Sequence, residues 1–263
     1  MAQGPEALNT NLDNILARAR NTPMRPALQA EAGLRYLAFG DLAEAHRSFH
    51  ARMQAAGVRP GTAVSIQVMD PIIHFIAVLS LMSCGATWAV VGQLHGLAIT
   101  DAVAENGALR IDASWFAPGV QVQEDISATW RMLHNGVEFD ASSIKQRVHE
   151  AAMALPASAG LTTLCASRVD SISVFAHVLA ALSGGGAIVF AAPDPGSFVQ
   201  MATLAQARIA IAPANLVSVL AAIIRSGEPL DLCFDAVLVE GTLSEENLDE
   251  LRLTCARRVI PLA

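Results

Sequence analysis

Two apolar stretches constrain this chain most: PIIHFIAVLSLMSCGATWAVVG at 71–92 and SISVFAHVLAALSGGGAIVFAAP at 171–193. Each is long enough to suggest a membrane span, yet each has glycine near its middle and turns β-rich after it. A transmembrane helix needs about 20 apolar residues without such a break. A buried helix, a glycine cap and a buried parallel strand account for both stretches, so both are read as core.

The rest of the sequence supplies the same grammar. An amphipathic helix is predicted at about 9–20, then a proline-punctuated connector to residue 33. LRYLA opens a short strand, followed by a helix from about Phe39 to Ala56. Leu42, Ala45, Phe49 and Met53 share one face of that helix, and Gly57 ends it. A buried strand follows at about 63–69; Asp70 caps the next helix and Pro71 takes its first position. Strands are expected at 86–91 and 108–112. A shift of 101 residues lays Gly85-Ala86 on Gly186-Ala187 and brings AENGALRIDA near AQARIAIAPA. The fold expected is therefore α/β: two similar doubly wound lobes with mostly parallel sheets flanked by helices, packed as one unit. The expected organisation is 1–33 as helix and connector, 34–118 as the first lobe and 119–263 as the second.

Composition narrows the function. The chain has 263 residues, 53% of them hydrophobic, which is enough for a substantial core. A net charge of −7 and the lack of any Lys/Arg cluster argue against nucleic-acid binding. Lys145 is the single lysine, so any lysine chemistry within the chain has one candidate. Cys84, Cys165, Cys233 and Cys255 are scattered without metal spacing and read as free thiols of a reducing compartment. The first residues carry no apolar targeting segment, which makes the cytoplasm the expected location and leaves no membrane span.

The order of elements resembles the N-terminal region of the acyl-adenylate-forming superfamily, which includes acyl-CoA synthetases, aryl-CoA ligases, adenylation domains and luciferases. The match rests on LRYLAFGDLAEAHRSFHARMQAAGVRPGTAVSIQVMDPIIHFIAVLSLMSCGATWAVV (34–91), SRVDSISVFAHVLAALSGGGAIVF (167–190), ARIAIAPANLVSVLAAI (207–223) and AVLVEGTLSEENLDELR (236–252). The resemblance implies an ATP-dependent carboxylate-activating ancestry and a phosphate loop reading roughly TSGTTGxPK. Here the corresponding place reads SATWRMLHNGVEF. Alternation at 126–133, the Asn135-Gly136 dipeptide and Val137–Phe139 predict a hairpin with a type I′ turn. Thr129, Arg131, His134, Asn135 and Gly136 then mark a degenerate phosphate-loop region. A two-residue turn offers too few convergent N–H groups to wrap a triphosphate. The sequence also stops before the family's YGxTE motif, and it lacks the lysine-bearing C-terminal domain. No catalytic residue can be carried over, and neither a cofactor nor a metal is expected.

Arg168, Asp170 and His177 are the candidate substrate-binding residues. Arg168 and Asp170 follow a buried strand at the mouth of a strand-to-helix loop, where α/β folds place ligands. The resemblance puts this loop near the acyl-pocket gate. Against that stands a local Arg168–Asp170 pair, with Asp170 or Ser171 as helix cap and His177 as a core histidine. His46 and His50 have the i, i+4 spacing of metal ligands but no third partner, and read as boundary histidines. The SGGG at 183–186 follows a helix, so it is a tight turn and not a phosphate cradle.

Three roles follow. The chain is expected to be a ligase-like domain that has lost acyl activation and serves as a binding or partner module. The alternatives are one half of a split ligase completed by another chain, or a binder of small acyl or aryl carboxylates. Apolar surface that the family normally covers would favour a homo-oligomer or a protein partner.

Overall fold

The computed structural model describes residues 10–30, 35–90, 96–102, 108–117, 129–155, 160–228 and 230–262. The fold is α/β, with two mostly parallel sheets flanked by helices. Two compact units divide the chain: Met1–Arg25 with Leu37–Arg147, and Pro26–Tyr36 with Val148–Ala263.

The first unit starts with α1 (Thr10–Asn21), which packs on α2 (Phe39–Ala55). The apolar face read from the sequence is the buried one: Leu42, Ala45, Phe49 and Met53 are all core. After α2, Gly57 adopts a φ of 91° and starts the turn to β3 (Ala63–Gln67). Next comes α3 (Pro71–Cys84), capped by Asp70, whose Oδ1 accepts from Ile72 N at 2.9 Å and Ile73 N at 3.1 Å. Strands β4 (Thr87–Val90), β5 (Leu97–Thr100) and β6 (Leu109–Arg110) follow. A hairpin of β7 (Arg131–His134) and β8 (Val137–Asp140) completes the sheet, in the order β6-β5-β3-β4-β7-β8. Among the described residues its strand pairings are parallel except β7 with β8.

The chain passes from the first unit to the second within α4 (Ala141–Ala154), which leads to β9 (Thr162–Cys165), α5 (Ile172–Ser183) and β10 (Ala187–Phe190). Then come α6 (Pro195–Leu204), β11 (Ile209–Pro213), α7 (Ala214–Arg225), β12 (Ala236–Glu240), α8 (Glu245–Thr254) and β13 (Val259–Leu262). Helices α6, α7 and α8 share one apolar cluster with Leu164, Ala166, Val237 and Val239, whereas α5 packs on β10.

The structure moves the unit boundary. Residues 131–147 belong to the first unit, because β7 pairs with β4 through Thr87↔Arg131 and Trp88↔Met132. The connector before residue 33 contains β1 (Pro26–Ala30), which pairs with β10 through Leu28↔Ile188. Together with β2 (Arg35–Ala38) it extends the second sheet, whose order is β13-β12-β11-β9-β10-β1-β2. The prolines around β1 hid a strand whose inner partner, β10, is distant in sequence.

The two sheets repeat one plan. Starting from the edge, β6-β5-β3-β4-β7-β8 answers strand for strand to β12-β11-β9-β10-β1-β2. The turns fix the true offset. Gly85 N bonds to Met82 O and Ala86 N to Leu81 O, while Gly185 N bonds to Leu182 O and Gly186 N to Ala181 O. Both are Schellman closures, with Gly85 at φ 72° and Gly185 at φ 81°. Gly85 therefore matches Gly185, an offset of 100 rather than 101. By the same correspondence β11 answers to β5, not to the ALRID segment.

Among the described residues no helix is long and apolar enough to cross a membrane.

Candidate functional site

In an open parallel sheet, ligands bind beyond the strand C-termini, between two neighbouring strands whose connections leave in opposite directions. Each unit has such a point. In the first, β3 leads through α3 to β4 on one side, while β5 lies on the other and continues to β6. This crevice is occupied from within. Asp101, just past β5, accepts from Met69 N and Asp70 N, both at 2.9 Å. An internal carboxylate thus holds the backbone amides that a ligand anion would need.

The second unit has its switch point between β9 and β11. Here five residues, Ala166 to Asp170, separate β9 from the α5 cap Ser171, against two between β3 and Asp70. The period-two alternation of the strand sends Leu164 and Ala166 to the α6–α8 cluster and leaves Thr163, Cys165 and Ser167 for the opposite face. Ser167 is 8% exposed, and its Oγ has no hydrogen-bond partner among the described residues; nor does Thr163 Oγ1. Ser167 O accepts from Cys165 Sγ at 3.3 Å, and burial pushes the Cys165 thiol up to about 12, so it is a thiol and not a nucleophile.

Of the three residues named from sequence, two meet. Arg168 Nε lies 2.8 Å from Asp170 Oδ2, with the arginine side chain 65% exposed. Ser171 takes the cap position of α5 without a side-chain hydrogen bond. His177 turns back to its own helix, with Nδ1 2.8 Å from Ser173 O. Burial holds this imidazole below its ordinary value, and the Ser173 carbonyl opposes that shift. No ion pair or hydrogen bond among the described residues joins His177 to Arg168 or Asp170.

The segment read from the sequence as a degenerate phosphate-loop region holds a hairpin. Residues 118–128, including Ser127, lie outside the described residues, and Thr129 is exposed ahead of β7. Of the predicted 126–133, residues 126–128 lie outside the described residues, and within the remainder the strand starts at Arg131. Its register with β8 runs from Arg131↔Asp140 to His134↔Val137. Asn135 at φ 51° and Gly136 at φ 76° form the two-residue turn, with the left-handed pair that a type I′ turn requires. Asn135 Nδ2 and His134 Nε2 lie 3.1 Å apart. Arg131 is committed to Glu138 at 2.7 Å. Asp140 accepts from Ser143 N at 2.8 Å, Ser143 Oγ at 2.6 Å and Ser142 Oγ at 3.0 Å. Those bonds pull Asp140 down to about 2, so it is anionic at neutral pH. The single lysine, Lys145, lies in α4 beyond the hairpin.

His46 and His50 are buried, not boundary, residues. His46 Nε2 lies 2.8 Å from Ser83 Oγ in the α2–α3 interface, and His50 Nε2 lies 3.1 Å from Gln54 Nε2. Among the described residues no three His, Cys, Asp or Glu side chains are grouped to hold a metal.

Sequence reasoning missed Asp101 and Ser167. Asp101 had a signal, an acidic residue directly after a short apolar strand. Ser167 had none, since its burial depends on the neighbours of β9.

These sheets and their switch points define the fold of the N-terminal domain of AMP-forming ligases. No protein-family profile and no curated protein sequence matches the chain. Among solved structures, an o-succinylbenzoate coenzyme A synthetase from Bacillus subtilis bound to a product analogue superimposes with a TM-score of 0.75 at 16% identity. The match covers 91% of this chain and 56% of that one. The NpsA N-terminal subdomain from Klebsiella oxytoca, in complex with 3-hydroxybenzoyl-AMSN, gives 0.75 at 15% identity over 95% and 71%. The inhibitor-bound N-terminal domain of FACL13 from Mycobacterium tuberculosis gives 0.78 at 12% over 95% and 74%. At these identities the likeness is one of fold. The chain spans little more than half the length of the synthetase.

Proposed function

We propose that this chain is a ligase-like scaffold without ATP-dependent acyl activation, serving as a binding or partner module. The hairpin carries the reading. Where an adenylate-forming relative needs a loop of converging N–H groups, this chain has a two-residue turn. Such a turn cannot surround a triphosphate. The nearby Arg131 is already neutralised by Glu138, and Asp140 presents a fixed negative charge. A nucleotide phosphate arriving there would meet repulsion and no compensating cradle.

The experiment is calorimetric titration of the purified chain with ATP and Mg²⁺. No heat of binding from a folded chain is the expected result. Micromolar affinity would overturn the proposal and favour a ligase half completed by another chain.

One observation favours a specific ligand class for the module. Ser167 Oγ is a buried hydroxyl without a partner at the β9–β11 switch point, next to Arg168. Hydroxyl and guanidinium together suit a small acyl or aryl carboxylate, with the carboxylate exchanging places with Asp170 on Arg168. Titration with benzoate and with medium-chain fatty acids tests it, independently of nucleotide. A partner subunit or a second copy would cover exposed apolar side chains such as Met153, Leu204 and Leu253. Sedimentation at rising concentration tests that: a monomer throughout would count against self-association.

A further inference from the structure

The second unit contains two cysteines whose backbones are brought side by side without a bond between them. Phe234 and Ala256 form a parallel β-bridge outside the named strands. Its 22-residue offset is that of Val237↔Val259, so the bridge continues the β12–β13 register. The residues one step back in that register are Cys233 and Cys255. Phe234 N donates to Cys255 O at 2.8 Å, and Arg257 N donates to Phe234 O at 3.0 Å. Standard backbone geometry puts each Cα about 2.4 Å from its end of the first of these bonds, so the two Cα atoms are at most about 7.6 Å apart. Disulfides span Cα separations of about 4.4–6.8 Å.

The two thiols differ in access. Cys233 is exposed, while Cys255 is buried at the end of α8 within the α6–α8 cluster. Cys255 has φ −121° and ψ −19°, so its side chain follows the helix end and not the alternation of a strand. Burial raises its pKa, and the charge of Cys233 raises it further.

We propose that Cys233 and Cys255 form a redox-active pair, with Cys233 as the attacking and Cys255 as the resolving thiol towards small-molecule disulfides. The Cys233 thiolate attacks one sulfur of the disulfide RSSR, whose S–S bond breaks, and one RS⁻ leaves and takes up a proton. The Cys255 thiolate then attacks the Cys233 sulfur of the mixed disulfide, and the second RS⁻ departs. Two protein S–H groups are lost, two RSH are formed, and no outside electron carrier is needed. The product ties the end of α8 to the segment entering β12, which fixes the β12–β13 edge of the sheet. Because the resolving thiol is buried, the second step is slower than the first.

The test is incubation of the folded chain with oxidised glutathione, followed by intact mass, thiol counting and peptide mapping. A transient glutathione adduct on Cys233 is expected first. It gives way to a chain lighter by two hydrogens with two of its four thiols titratable and a linked Cys233–Cys255 peptide. In Cys255→Ser the adduct on Cys233 should persist, and Cys233→Ser should take up no glutathione at all. The oxidised wild type should melt at a higher temperature, and dithiothreitol should reverse the shift. A wild-type adduct on Cys233 that never resolves overturns the proposal. So does a linkage that forms only in denaturant, or one that lowers the melting temperature.

Discussion

The turn residue Gly136 and the helix-end residue Gly186 can be separated by how a methyl group would fail at each. A Cβ at Gly136 meets nothing within 4 Å, so only its φ of 76° resists substitution. Gly136→Val should cost about 1–2 kcal/mol, the penalty of a side chain in the left-handed region. Gly186 is the opposite case: a Cβ there would lie 2.6 Å from Leu161 O, a backbone atom that cannot swing aside. Gly186→Ala should therefore lower the urea midpoint more than Gly136→Val does. The reverse order would undo this account of both turns. His46 sets a pH dependence. Burial foremost, then the His50 and Arg47 charges, push it down from 6.5 to about 3. Between those values the unfolded chain binds a proton that the folded chain refuses, so the His46 contribution is complete above about 6.5 and is lost as pH falls towards 3. At 1.36 kcal/mol per unit the loss is on the order of a few kcal/mol. His46→Leu should flatten the stability curve between pH 6 and 4, as read from urea unfolding; an unchanged slope would mean His46 is protonated in place. Asp170→Asn releases Arg168, so it should tighten carboxylate binding at the second switch point. Calorimetry showing weaker binding would remove Arg168 from that role.

At the scale of elements, the β5 end holds the entrance of α3 through one side chain. Asp101→Ala leaves Met69 N and Asp70 N without their acceptor and should cost about 1–3 kcal/mol in chemical denaturation. Asp101→Asn, which keeps one acceptor oxygen, should cost less; equal costs would show the carboxylate geometry to be irrelevant. Sheet order makes a further claim. Amides of β9 and β11, central in their sheet, should exchange most slowly, and those of the edge strand β8 among the fastest. Protection of β8 equal to that of β11 would mean the edge is covered. Much of this was legible in the residues. Asn135-Gly136 specified its turn, Asp70-Pro71 the start of α3, and the Leu42, Ala45, Phe49, Met53 stripe the buried face of α2. In each case the signal and the structure it dictates lie within a few residues of one another. The rest was hidden for the opposite reason. β1 is a strand because of β10, His46 is buried because of Ser83 and α3, and Ser167 is enclosed because of strands on both sides of β9. The repeat was visible, but its offset was misread by one residue, because the consecutive glycines Gly184, Gly185 and Gly186 look alike until their hydrogen bonds are seen.

On the scale of the whole molecule, the order of the chain and the order of the sheets disagree. The chain enters the second unit at Pro26, leaves after Tyr36, builds the first unit, and returns at Val148. Leu28 is paired with Ile188, about 160 positions further on. A fragment of residues 148–263 should therefore lack the strand that β10 needs, and a peptide of residues 26–36 added in trans should raise its melting temperature. A fragment already as stable as the intact chain, by circular dichroism, would contradict that dependence. The same crossing bears on how a ribosome would deliver this protein. Ala27, Leu28 and Ala30 emerge early with nothing to rest against, and they wait through most of synthesis while another sheet is assembled. During that interval the nascent chain carries an unsatisfied sticky end, so the yield of native protein should depend on elongation speed and on holding chaperones.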